Sequence, residues 1–345
     1  MSLISEIYEQ ADILQNLLKD QKAIIEKISQ ELNHALPKFI FIAARGTSDN
    51  AGRYANYVWG SLNQLPVALA TPSLFTLYQQ PPRLEDALVV GISQSGQSPD
   101  IVTVLEEGKR QGCRTLAITN APNSPLANAA DWVIDIQAGV EKAVAATKTY
   151  TAELMAIAML AASLRQDQAL WNDLARIPEW VRHALTLEGQ INRLAERYRY
   201  MERCVVLGRG YNYATAFEWS LKLKELTYIV AEPYSTADFM HGPIAIIEAG
   251  FPVLAIVPSG KVYQNLYALL DKLRNDKSAE LVVISDQPEA LALAQSPMPL
   301  PVGIPEWLSP LIAIVPAQLF AHALTLVKGW DTESPRSIRK VTETH

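Results

Sequence analysis

Hydrophobic and polar positions fall into two kinds of run that take turns along the chain. Over residues 5–34 the apolar positions Ile7, Ile13, Leu14, Leu17, Leu18, Ile24, Ile25, Ile28 and Leu32 recur at helical spacing, as one long helix or two. Residues 39–44 are continuously apolar, the signature of a strand buried on both faces. The polar run 45–50 ends that strand, and a helix is expected over 51–62. A short strand at 67–70, a proline-bearing loop with a short helix at 71–86 and a buried strand at 87–92 come next. A helix over 100–110 presents Ile101, Val104 and Leu105 on one face. Strands follow at 115–120 and 132–136, then a loop at 139–149 and an apolar helix at 150–165. Strands alternating with helices predict a doubly wound, mostly parallel α/β sheet.

After a more polar helical connection over 166–200, the pattern starts again. Strands are expected at 204–208, 252–257 and 280–284, with helices over 214–229 and after Gly260. The halves repeat in register. Arg45-Gly46 recurs as Arg209-Gly210 and Ser95-Gly96 as Ser259-Gly260, each 164 residues later. A duplicated α/β unit follows.

The copies differ in chemistry. In the first half Gly91-Ile92-Ser93-Gln94-Ser95-Gly96-Gln97-Ser98-Pro99 joins a strand to a helix. Ser98 suits the N-cap and Pro99 the first helical position. Hydroxyls, an amide and a glycine ahead of a helix N-terminus describe a phosphate cradle, neither a GxGxxG nor a Walker loop. The competing reading is a polar turn that only caps a helix. In the second half Pro258-Ser259-Gly260-Lys261 has lost the hydroxyl cluster.

Charged candidates lie in the second half. Glu218, Lys222 and Glu225 share one helical face, either a solvated face with weak ion pairs or a carboxylate held beside an ammonium for proton transfer. Residues 231–243 read as irregular, and His241-Gly242-Pro243 places an imidazole at a fixed turn. By composition alone, residues 334–342 are a frayed tail.

Composition narrows the classes. The 345 residues suit two α/β domains, and 49% hydrophobic with 19% charged residues is globular. A net charge of -6 argues against a general nucleic-acid partner. Cys113 and Cys204 have no metal spacing and open apolar runs, so both read as core residues. With no signal-peptide pattern and no apolar run expected to reach about 18 uncharged residues, the chain is expected to be cytoplasmic and not membrane-bound.

Taken in order, Glu6-Ile7-Tyr8-Glu9-Gln10, Gly46-Thr47-Ser48, Ser93-Gln94-Ser95-Gly96, residues 139–149, Leu221-Lys222-Leu223-Lys224-Glu225, His241-Gly242-Pro243 and residues 335–340 resemble the sugar-isomerase (SIS) domain pair. The likeness is strongest to the isomerase half of the glutamine–fructose-6-phosphate aminotransferases (glucosamine-6-phosphate synthases) and to their stand-alone deaminase and deglycase relatives. It implies two tandem SIS domains, each a three-layer, flavodoxin-like αβα sandwich. The expected division is a helical segment at 1–30, domain one at 31–168, a connection at 169–194, domain two at 195–333 and a tail at 334–345 over the active site.

The resemblance also implies roles. Gly46, Thr47, Ser48, Ser93, Gln94, Ser95 and Ser98 would hold a sugar phosphate, and Val144 would line the sugar. Glu225 would move a proton between C1 and C2, supported by Lys222. His241 would open the ring, reaching the partner's site in a homodimer, and Lys340 would serve the open-chain form. No metal and no cofactor are implied. The sequence departs from the synthases at Arg45, which stands where they carry cysteine, at Ala146 for serine and at Ser98 for threonine. It also holds no glutaminase region. The expected reaction is therefore hexosamine 6-phosphate to fructose 6-phosphate and ammonia, with a ketosamine-6-phosphate deglycase or a non-catalytic sugar-phosphate sensor as alternatives.

Overall fold

The computed structural model describes residues 2–338 and 340. Contacts divide them into two units. One holds Asp12–Glu141, Ala146–Arg176 and Lys340; the other holds the chain up to Ala11, Lys142–Ala145 and Ile177–Ile338.

In chain order the first half forms α1 (Leu3–Asp20), α2 (Lys22–His34), β1 (Phe39–Ala43), α3 (Gly46–Asn63), β2 (Val67–Leu69), α4 (Ser73–Thr76), β3 (Ala87–Ile92), α5 (Pro99–Arg110), β4 (Arg114–Thr119), α6 (Pro125–Ala129), β5 (Trp132–Asp135), α7 (Lys148–Arg165) and α8 (Gln168–Leu174). The residues predicted as one helix or two at the start are two, parted at Gln21. The strands run parallel in the order β2-β1-β3-β4-β5. The strand order reverses between β1 and β3, the switch point where ligands commonly bind open parallel sheets.

The core explains the continuous apolar runs. Every residue of β3 is buried, because helices cover both faces of the sheet. On one face Val89, Val104, Leu105 and Leu126 pack together. On the other, α3 lies against α7, and the buried Trp59 indole donates to the Ile157 carbonyl at 3.2 Å.

The second half forms α9 (Ile177–Leu185), α10 (Glu188–Glu196), β6 (Arg203–Gly208), α11 (Tyr213–Thr227), β7 (Val230–Ser235), α12 (Thr236–Met240), β8 (Pro252–Ile256), α13 (Tyr263–Asn275), β9 (Glu280–Ser285), α14 (Pro288–Leu293), β10 (Ser296–Pro299) and α15 (Ser309–Val327). Its parallel sheet runs β10-β9-β8-β6-β7. Read from β7, this is the order of the first sheet, so the repeat in sequence is a repeat in topology.

Three expectations are corrected. The helix after β1 begins at Gly46, so the polar residues thought to precede it form its first turn. Residues 231–243 are not irregular. They complete β7, paired to β6 from Arg203↔Val230 to Gly208↔Ser235, and then form α12. As an edge strand β7 can hold Pro233, and that proline hid it from sequence reading. The chain also does contain a long uncharged apolar stretch. Residues 306–327, uncharged after Glu306 and including α15, have the length and hydropathy of a membrane span, yet 83% of the window is buried within the protein. There α15 packs on α9, α10 and α11 as the unit's core helix.

Candidate functional site

The loop after β3 sits at the switch point of the first sheet. Gly96 has φ +60°, and a Cβ there would lie 2.0 Å from the Ser124 hydroxyl oxygen, so only glycine fits the turn. The loop is tied down by its own backbone. Asn120 N–H donates to Gln94 C=O at 3.2 Å, Leu126 N–H donates to Gly96 C=O at 3.1 Å, and Gly96 N–H donates to Ser93 Oγ at 3.2 Å. Gln94, Ser95 and Ser98 stay half-exposed, while Ser93 is buried. Ser98 takes the N-cap position of α5 and Pro99 the first turn, as expected. The side chain that accepts from that turn is Asp100, from Ile101 N–H at 3.0 Å.

The loop after β1 meets the same helix. Arg45 Nε donates to the buried Asp100 carboxylate at 2.7 Å, joining the two loops that leave the switch point. In the first turn of α3, Gly46 is exposed and Thr47 half-exposed, while Ser48 is buried and donates to Glu153 at 2.8 Å.

Beside the cradle lies a cleft of about 500 Å³ lined by Gln94, Asn120, Asp135, Gln137, Gly139, Val140 and Glu141. Glu141 is its buried wall. Its Oε1 accepts from Thr147 N–H at 2.9 Å and Thr149 N–H at 3.2 Å. Its Oε2 accepts from the Thr149 hydroxyl at 2.8 Å and the Lys340 ammonium at 2.5 Å. Burial opposes the charge, but Lys340 and these donors outweigh it and hold the carboxyl below its usual range. Lys340, read by composition as part of a frayed tail, is thus held by a buried anion.

In the other unit, Val144 is half-exposed in a segment held by Glu6, whose buried carboxylate accepts from Lys142 N–H at 2.5 Å and Ala143 N–H at 3.2 Å. The α11 charges are not a solvated face. Lys222 is buried, 3.3 Å from the buried Glu218 and 2.6 Å from Glu225, whose side chain keeps 25% exposure. Burial alone would lower the Lys222 pKa, but the two carboxylates raise it, so it stays an ammonium. The arrangement is a buried cation, anchored on one side by Glu218, that presents one partly open carboxylate, Glu225. His241 is exposed just after α12.

The second cradle is filled by the chain itself. Ser259 donates through N–H and hydroxyl to Asp286, both at 2.6 Å. Glu306 accepts from Lys261 N–H at 2.9 Å and Val262 N–H at 3.4 Å, at the start of α13. These carboxylates take the donors that an anion would need, as the lost hydroxyl cluster suggested.

Sequence reasoning missed Asp100, Glu141 and Glu153. Each is a lone carboxylate in an apolar or hydroxyl-rich context, and that isolation was the available signal.

Comparison with known proteins gives the same frame. The SIS domain model matches residues 37–163 and 198–328. A glutamine–fructose-6-phosphate aminotransferase (isomerizing) of Gloeobacter violaceus is 35% identical over 355 residues, covering 98% of this chain and 58% of the relative. One from Thermococcus kodakarensis is 32% identical over 348 residues, with 98% and 57% covered. The chain thus spans little more than half the length of these curated relatives. The C-terminal domain of a glucosamine-fructose-6-phosphate aminotransferase from Francisella tularensis superposes with a TM-score of 0.85 at 29% identity, covering 96% of this chain and 98% of that one. A glucosamine-6-phosphate deaminase from Thermotoga maritima, at 19% identity and TM-score 0.78 with full coverage of both chains, shares the fold. With a matched domain in each of its two parallel sheets, the chain belongs to the SIS domain family.

Proposed function

We propose that this protein is an isomerising aminosugar-phosphate deaminase, converting a hexosamine 6-phosphate such as glucosamine 6-phosphate to fructose 6-phosphate and ammonia. The observation that carries the reading is the α11 cluster, in which a buried Lys222 ammonium holds the partly exposed Glu225 carboxylate at 2.6 Å. A carboxylate fixed beside a charged lysine is equipped to carry a proton between adjacent carbons. In this reading Gly46, Thr47, Ser48, Ser93, Gln94, Ser95 and Ser98 hold the phosphate, and Val144 lines the sugar. His241 assists ring opening, from the partner subunit of a homodimer, and Lys340 serves the open chain.

The chemistry balances with water alone. The sugar opens to its aldehyde, and Glu225 takes the C2 proton and returns it to C1. The resulting C2 imine adds water and expels ammonia, leaving the ketose phosphate. Conversion of the purified protein's glucosamine 6-phosphate to equal amounts of ammonia and fructose 6-phosphate is the expected result. Release of an amino acid from a fructosamine 6-phosphate instead would make it a deglycase. Binding of a hexitol 6-phosphate with turnover of neither substrate would make it a sensor.

A further inference from the structure

We infer that Glu141 is a positioning residue that seats Lys340 at the wall of the cleft beside the phosphate cradle. The inference rests on the functional reading above only for its kinetic consequence. Among the described residues, Glu141 is the side chain that both lines the cleft shared with Gln94 and Asn120 and binds the Lys340 ammonium, at 2.5 Å. Its carboxylate is fully buried, and Lys340 keeps 23% exposure. Three further donors, Thr147 N–H, Thr149 N–H and the Thr149 hydroxyl, fix it at the N-terminus of α7. The helix dipole favours an anion there. The carboxylate of the pair is thus held by the start of α7, and the lysine comes to it from 199 residues further along the chain.

The donors around Glu141 hold its buried carboxyl below the usual range, and the Lys340 side chain lies against that carboxylate. Loss of either member should loosen Lys340, whose ammonium this pair holds.

The test uses the full chain and the variants Glu141→Gln and Lys340→Met. Hydrogen exchange of the peptide containing Lys340 should quicken in both, and Lys340→Met should do so with α7 exchange unchanged, since its cap remains. Unchanged exchange of that peptide in Lys340→Met overturns the inference whatever the protein catalyses. In kinetics, Glu141→Gln should lower kcat on the order of a hundredfold, as expected for a misplaced group. The double variant should be no slower than Lys340→Met alone. Losses that multiply in the double variant would mean that Glu141 acts independently of Lys340, and would overturn it. If the wild-type protein turns over no sugar phosphate, the proposed function fails while the exchange result still decides the role of Glu141.

Discussion

Arg45 Nε donates to the buried Asp100 carboxylate at 2.7 Å, and this ion pair joins the loop after β1 to the helix that opens behind the cradle. If the cradle takes a phosphate as proposed, a carboxylate beneath it is unfavourable unless a cation neutralises it. Arg45 is 51% exposed, so the pair itself contributes modestly to stability, about 1 kcal/mol. Its larger effect should be on ligand binding. Arg45→Ala is expected to raise KM for a sugar phosphate about tenfold, roughly 1.4 kcal/mol, with kcat little changed. A variant with unchanged KM would show that Asp100 does not influence the cradle.

Gly96→Ala tests the cradle more directly. The added methyl would meet Ser124 at 2.0 Å, and φ +60° is unfavourable for alanine. The loop must shift, and its hydroxyls and amides shift with it. Binding of a hexitol 6-phosphate, followed by calorimetry, should weaken by more than a hundredfold while the far-UV spectrum stays native. Near-normal affinity would place the phosphate elsewhere.

Much of the geometry of the candidate site was legible in the sequence because its parts are local. The loop 91–99 is defined by residues that follow one another, and the 164-residue register between Ser95-Gly96 and Ser259-Gly260 shows that two sheets exist. What the sequence hid depends on burial and on distant partners. The spacing of Glu218, Lys222 and Glu225 is the same for a solvated face as for a buried one; only the packing of α11 on α15 decides. Glu141 and Lys340 are 199 residues apart, and no periodicity links them. β7 was lost because Pro233 reads as a strand breaker unless the strand is known to be at an edge. α15 carries Pro316 inside its uncharged run, a residue that sequence reading treats as a helix breaker.

The buried triad makes a stability prediction that its catalytic reading does not. Lys222→Met would leave the buried Glu218 without this cation, at a cost of about 3 kcal/mol or more. The urea midpoint should fall accordingly. Adding Glu218→Gln should recover much of the loss, because the carboxylate that Lys222 pairs with goes too. Lys222→Met with an unchanged midpoint would mean that the Lys222–Glu218 pair does not stabilise the fold. Glu225→Gln, by contrast, should keep the midpoint near wild type and abolish turnover, because Glu225 is the partly exposed member.

Acid should act on the protein through Glu141. Its carboxyl is held below the ordinary value of 4.5, so the folded state binds this proton less readily than the unfolded chain. Such a group contributes stability that is fully present above its unfolded pKa and is lost as pH falls through the lower folded value. Glu141→Gln has no such contribution at any pH. The difference in unfolding free energy between wild type and Glu141→Gln should therefore be constant above pH about 5 and shrink as pH drops below it. Urea midpoints measured across this range give the curve. A difference that stays constant into strong acid would show that the folded protein does not favour the ionised carboxylate, and the hold of Glu141 on Lys340 would have to come from neutral hydrogen bonds instead.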